Sequence, residues 1–173
     1  MFTNYFIKKK IEALVSQNSN RLSHSISLDE AGSILLLYDF EDHESVTALL
    51  APLLKAGKNI TSCVYVRSKN INLPTFDSFI PVGLKGDLNA WGFPSEAIIE
   101  RVNSIKADVL IDITHPACYP MEYLAVSHPC SFKVGIKYPE QEWYDLCVSV
   151  TDKDDVKYLF EQILFYLRSI RAK

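Results

Sequence analysis

Two rhythms of apolar residues alternate along the chain. Short continuous runs at Ser33–Tyr38 (SILLLY), Ile60–Val66 (ITSCVYV), Asp108–Ile113 (DVLIDI) and Phe132–Ile136 have the length and composition of strands buried on both faces. Between them, apolar residues recur at helical spacing. Val46, Leu49, Leu50, Leu53 and Leu54 mark a helix that Asp42 can cap, Gly57 can end and Pro52 should bend. Ser95 can cap a second helix, reaching about Ile105, with Ile98, Val102 and Ile105 on its inner stripe. After a loop at Thr114–Pro120 a short helix runs to about Ser127. The last helix runs to about Arg171, with Val156, Leu159, Phe160, Ile163, Leu164, Leu167 and Ile170 on one side. Thr151 and Asp152 can cap it; Asp154 and Asp155 in its first turn and Arg168 and Arg171 in its last suit the macrodipole.

Elsewhere the pattern is weaker. Residues 3–17 read as an amphipathic helix, with Ile7, Ile11, Leu14 and Val15 on one stripe and Lys8, Lys9 and Lys10 mostly off it. A core-facing helix with a solvated basic side is the expectation; a basic helix on an anionic membrane surface is the alternative. The polar, serine-rich stretch 16–30 reads as a linker or mobile loop. The chain thus divides into an N-terminal helix and linker over 1–30 and a main domain over 31–173. Residues 67–94 hold three prolines among short apolar pieces, with a short strand at Ser78–Val82 and an aromatic loop at Leu88–Pro94. Tyr144–Val150 is a sixth strand; it follows its predecessor after a loop, so an antiparallel edge position is expected.

Strands separated by helices imply right-handed crossovers and a parallel sheet. The expected fold is therefore a single three-layer, Rossmann-like α/β domain: a mostly parallel sheet of five or six strands with helices on both faces. Length and composition agree, since 173 residues with 48% hydrophobic and 23% charged suit one globular domain. A net charge of −3 gives no basic field to draw nucleic acid. Cys63, Cys118, Cys130 and Cys147 form no close pair, which argues for free thiols in the cytoplasm and against a zinc site. No apolar run reaches transmembrane length, so stable membrane insertion is not expected.

Candidate chemistry gathers at strand carboxyl ends, where such sheets bind ligands. One cluster, Asp39, Glu41, Asp42, His43 and Glu44, follows the first strand; Asp112, Thr114 and His115 close the DVLIDI strand. In a 3-2-1-4 strand order these two strands are neighbours and the clusters face each other. Carboxylates with histidine can hold a divalent metal or do acid–base work. The same residues can equally cap a helix and bond loop amides. Asp112 is the sharpest of them, because a carboxylate inside an apolar strand must be paired, hydrogen-bonded or protonated. Trp91 can form a stacking wall or plug a helix end. His115-Pro116 and His128-Pro129 repeat a dipeptide at opposite strand ends. No Walker loop, no G-x-G-x-x-G after the first strand and no G-x-S-x-G elbow occur, so no nucleotide cofactor is expected.

Three resemblances emerge from these residues. The stretch Ala107–Tyr138 resembles the strand–helix–strand unit in the N-terminal Rossmann-like domain of lipopolysaccharide heptosyltransferases, with Asp112, Ala125 and Lys133-Val134-Gly135 in the corresponding places. The layout, with its Asp87-Leu88-Asn89-Ala90-Trp91-Gly92-Phe93-Pro94 run, is similar to a family of small uncharacterised bacterial proteins. LLLYDFED and DITHPACYPME resemble the acidic pocket and phospho-acceptor segment of response-regulator receiver domains, which implies Asp112 as acceptor. The resulting expectation is a non-catalytic binding or interaction domain that resembles half of a glycosyltransferase. The rival is an enzyme or phospho-sensor working through the acidic and histidine rim. The partner is open; Tyr158, Phe165 and Tyr166 widen the apolar surface of the last helix, which is expected to be covered by residues 3–17 or, as the alternative, by a second copy in a homodimer.

Overall fold

The apolar runs become the strands of one sheet. The computed structural model describes residues 2–68, 71–139, 143–149, 151 and 155–171. The strands are β1 (Ser33–Asp39), β2 (Asn59–Tyr65), β3 (Phe79–Val82), β4 (Val109–Asp112), β5 (Lys133–Lys137) and β6 (Leu146–Ser149). Their order is β3-β2-β1-β4-β5-β6, and every neighbouring pair is parallel. The chain is thus a single-domain α/β fold of Rossmann-like order, with its switch point between β1 and β4.

β6 corrects the expected antiparallel edge. Asp145 explains the difference: its N–H donates to the Lys133 carbonyl at 2.8 Å, and its Oδ2 accepts from the Lys133 N–H at 2.7 Å. These bonds pin the start of β6 beside the start of β5, so the two strands must run the same way. A connection of eight residues reaches about 26 Å when extended, ample to return along a five-residue strand of about 16 Å.

The helices are α1 (Phe2–Gln17), α2 (His43–Lys55), α3 (Glu96–Asn103), α4 (Tyr119–Ser127) and α5 (Val156–Ser169). Alternate residues of β1 serve the two faces of the sheet. Ile34, Leu36 and Tyr38 pack with Val46, Leu50 and Leu53 of α2 and with Leu159, Phe160 and Ile163 of α5. Leu35 and Leu37 pack with Ile98 and Val102 of α3 and Leu124 of α4. Each such fully buried aliphatic side chain contributes about 1.5–3 kcal/mol. α2 continues through Pro52 to Lys55. Ser95 caps α3 as expected, accepting from the Ile98 N–H. α5 is capped instead by Asp155, which accepts from the Tyr158 N–H at 2.7 Å. Asp152 and Asp154, also read at this helix start, lie outside the described residues.

α1 lies outside α4, with Ile7 and Ile11 buried against Tyr123 and Val126. The stretch 16–30, read as a linker, is tied down on both sides of the sheet. Arg21 donates to the carbonyls of Cys130 and Ser131 and pairs with Asp145, while the Leu28 N–H donates to the Leu167 carbonyl of α5. Leu28 and Ala31 are buried. The segment therefore crosses the amino-terminal edge of the sheet from the α4 side to the α5 side. Its polar composition concealed this, because its bonds go to backbone groups that no periodicity reports. Among the described residues, no helix is long and apolar enough to cross a membrane.

Candidate functional site

β1 and β4 are adjacent, with Leu37 opposite Asp112, so the two acidic clusters do share one rim. Asp39 ends β1 and is fully buried. Its Oδ1 accepts from Arg67 Nη2 at 2.8 Å and Nε at 3.3 Å, and its Oδ2 accepts from the His115 N–H at 2.7 Å. The bond to Asp39 raises the already high pKa of Arg67. Asp112 ends β4, also buried. Its Oδ1 accepts from the Thr114 N–H at 3.0 Å and from Thr114 Oγ1 at 2.7 Å, an Asx turn, and its Oδ2 accepts from Tyr144 Oη at 2.9 Å. Burial pushes the Asp112 carboxyl up, against the pull of these bonds. Burial and the neighbouring carboxylate push the Tyr144 phenol well above its usual value.

Asp42 holds the N-cap position of α2 yet caps nothing with its side chain. Instead its Oδ2 lies 2.8 Å from His115 Nε2. Burial raises the Asp42 carboxyl, and His115 opposes the shift. One ligand atom each from Asp39, Asp42 and His115 lies within 4.8 Å of the others. His43 stands apart from this group. Its Nδ1 bonds Tyr38 Oη at 2.9 Å, and its ring stacks on Phe40 at 5.1 Å. Burial lowers the His43 pKa and pushes the Tyr38 phenol up to about 12. The phosphate-binding position after β1 is filled by the 3-10 turn Phe40–Asp42, which brings side chains where a glycine loop would bare its amides.

Trp91 sits half-exposed at the edge of the rim, with its ring edge-to-face on Phe6 at 5.5 Å. The loop that carries it is closed by a Leu88–Pro94 bridge, and Asn89 Oδ1 accepts from the N–H groups of Trp91 and Phe93. Gly92, at φ 76°, supplies the left-handed turn. Trp91, Tyr65, Arg67 and Cys118 line a pocket of about 190 Å³. Ala117 in its wall has φ 63°, which costs an L-residue about 1 kcal/mol. The Cys118 thiol is buried and pushed up, largely by burial and by Asp39.

Sequence reasoning missed two of the residues that complete the rim. Arg67 lies two residues past the end of β2, and a cation just past a strand carboxyl end was the available signal. Tyr144 reaches Asp112 over Gly135, where a Cβ would overlap its ring. The glycine of the Lys133-Val134-Gly135 run was the corresponding trace. No curated protein matches the sequence. Residues 3–170 match the "Family of unknown function (DUF6913)", and the chain belongs to that family.

Proposed function

We propose that the chain is a binding domain and not a catalyst. One observation carries this reading: each oxygen of Asp39 and of Asp112 already accepts a hydrogen bond from the chain itself. A general base needs a lone pair aimed at the substrate, and these are aimed inward. Nor is a thiolate offered, since burial holds the Cys118 thiol in its neutral form. What stays open at the rim is the pocket of Tyr65, Arg67 and Trp91, with two aromatic surfaces and a half-exposed guanidinium for a small ligand. The resemblance to half of a heptosyltransferase supports the architecture of this reading, and the side-chain-filled turn Phe40–Asp42 argues against phosphate binding there. Nucleotides and nucleotide sugars at up to millimolar concentration should leave the melting temperature unchanged. A stabilisation of about 2.7 kcal/mol at a hundred-fold excess over Kd would overturn this and restore the glycosyltransferase-like alternative.

A second reading rests on the convergence of Asp39, Asp42 and His115, three donors of the kind that hold a divalent cation. Under it, Zn2+ or Mn2+ raises the melting temperature, and His115→Ala removes the effect. No shift in millimolar metal excludes it.

For partners, self-association through α5 is the reading the surface favours. Tyr158, Phe165 and Tyr166 are exposed on it, and α1, the other candidate cover, packs on α4. Glu161 and Arg168 lie seven residues apart on one flank of Phe165. In an antiparallel pair of α5 helices each therefore meets its opposite in the other copy. Phe165→Glu should leave stability within about 0.5 kcal/mol and convert a dimer to a monomer in light scattering; a wild-type monomer rules the pairing out. The free thiols Cys63, Cys118, Cys130 and Cys147 suit the reducing cytoplasm.

A further inference from the structure

Exposed aromatic rings gather at one place on the surface. Tyr5 and Phe6 of α1 and Trp91 of the Leu88–Pro94 loop are 55%, 50% and 52% exposed, so each ring stands half out of the protein. They touch in a row: Tyr5 meets Phe6 edge-to-face at 5.8 Å, and Phe6 meets Trp91 at 5.5 Å. Two distant segments of chain thus build one apolar patch, and a contiguous patch marks a contact surface. The loop is shaped to hold it. Besides the two bonds that Asn89 Oδ1 accepts, the Asn89 N–H donates to the Phe93 carbonyl at 2.9 Å and the Gly92 N–H to the Asn89 carbonyl at 3.0 Å. These bonds order Trp91 in advance, which lowers the entropic cost of docking through it.

Lysines surround the rings. Lys9 Nζ lies over the Tyr5 ring at 5.3 Å, and Lys10 Nζ lies over the Phe93 ring at 5.2 Å and the Tyr123 ring at 5.8 Å. Phe6, Lys10, Trp91 and Phe93 line a shallow notch that includes no carboxylate. Helical phase puts Lys8 and Glu12 on the other flank of α1, where they border a separate cavity with Glu122 and Trp143. Glu12 is near enough to act on Lys9 but does not pair with it. Asp87 of the loop is turned back to the Leu84 N–H, and Glu96 and Glu100 stand on α3 after it. Among the described residues, neither Lys9 nor Lys10 forms an ion pair. The net charge of −3 does not cancel these lysines at a contact, since charges are screened beyond about 8 Å at physiological ionic strength.

We propose that this patch docks the protein on an anionic bilayer surface, with the Tyr5, Phe6 and Trp91 rings in the interface and Lys9 and Lys10 at the lipid headgroups. Rings that stand out of a surface suit a partner into which they can sink. Aromatic rings beside lysines are the side chains favoured at a bilayer interface, where the stem lies along apolar surface and the ammonium stays in water. The apolar stripe of α1 is held by α4 through Ile7 and Ile11, so the contact falls to the opposite side of the helix and nothing crosses the bilayer. The inference goes beyond the rim reading. It shares Trp91 with the rim pocket, while Phe6, Lys9 and Lys10 lie outside that pocket.

The test mixes the full chain with vesicles of phosphatidylcholine and phosphatidylserine, or of phosphatidylcholine alone, and measures bound protein by flotation. Binding to the anionic vesicles should be at least about tenfold tighter and should weaken as salt rises. Lys9→Gln together with Lys10→Gln should remove that difference, and Phe6→Ser should weaken binding at least about fivefold. All three positions are exposed, and circular dichroism checks that the fold is kept. Bromine on the acyl chains should quench tryptophan emission in the wild type, and Trp91→Phe should bind yet lose the quenching. Absence of binding to the anionic vesicles overturns the proposal, as does equal binding by the lysine or Phe6 variants. Quenching that persists in Trp91→Phe overturns the placement of that ring. Self-association that Phe6→Ser reverses, in place of vesicle binding, would give the patch to a second copy and overturn the proposal as well. No small ligand is present in these assays, so failure of the rim pocket in its own titrations and failure here are separate results.

Discussion

The two ends of the sheet treat buried charge in opposite ways. At the carboxyl end, Asp39 meets Arg67 and an amide, and Asp112 meets Thr114 and Tyr144. At the amino end, Lys133 meets a carbonyl and the wall of a cavity. The two His-Pro dipeptides repeat the contrast. His115 is partly exposed beside Asp42. His128 is buried, with Nε2 against the Ile105 carbonyl at 3.1 Å and Nδ1 accepting from the Cys130 N–H at 3.0 Å, so Nε2 carries the proton. Topology marks the carboxyl end of such a sheet as the functional one. Here the end with the expected chemistry pairs its buried carboxylates fully, and the end without it holds a buried lysine whose ammonium donates to a neutral carbonyl. Where a fold permits a site and where polar demand is left unsatisfied are separate questions.

The comparison breaks most readily at Arg67. Arg67→Ala leaves the fully buried Asp39 without its cation, a change that costs 3–5 kcal/mol in buried pairs. Because the Arg67 side chain is half-exposed and lets water in, we expect the low end, about 3 kcal/mol by urea denaturation. A loss under about 1 kcal/mol would mean that solvent already reaches Asp39 and the rim is not sealed.

Gly135→Ala probes the other carboxylate. The new methyl group overlaps the Tyr144 ring, and overpacking of this kind costs about 1–3 kcal/mol. It should also separate Tyr144 from Asp112, a change visible in near-ultraviolet circular dichroism. Tyr144→Phe, which removes the bond without the clash, should cost less, about 1 kcal/mol.

At the amino end the test is pH. Lys133 has a folded value of about 8 against an ordinary 10.5. Its contribution to stability is full above the ordinary value and is lost as pH falls through the folded one. Lys133→Met should therefore be more stable than the wild type at neutral pH and lose that advantage by pH 10.5. An effect of about the same size belongs to His128, lowered by burial from 6.5 to about 4. Its contribution is full above pH 6.5 and lost as pH falls toward 4. Asp112, raised, acts in the opposite sense: its contribution is present at low pH and lost as pH rises. The difference between His128→Gln and the wild type, followed from pH 7 to 4, isolates the histidine.

The sheet was legible in the sequence because strands buried on both faces must be continuously apolar, as SILLLY and DVLIDI are. Rim membership followed for Asp39, Asp42, Asp112, Thr114 and His115, since strand ends locate side chains along a parallel sheet. His43 escaped that logic: as the first residue of α2 it turns toward Tyr38 and Phe40, a choice set by helix phase. The direction of β6 was hidden because two bonds of Asp145 to Lys133 decide it, and pairing across twelve residues leaves no periodic mark. Stretch 16–30 was obscure for the same reason.

The claim that the rim binds and does not catalyse is tested most directly by turnover. The full chain with Mg2+ is incubated with nucleoside triphosphates and nucleotide sugars, with hydroxylated acceptors present, and followed by phosphorus NMR. The account predicts spectra unchanged from the protein-free control. Release of nucleotide or phosphate that Asp39→Asn abolishes would contradict it.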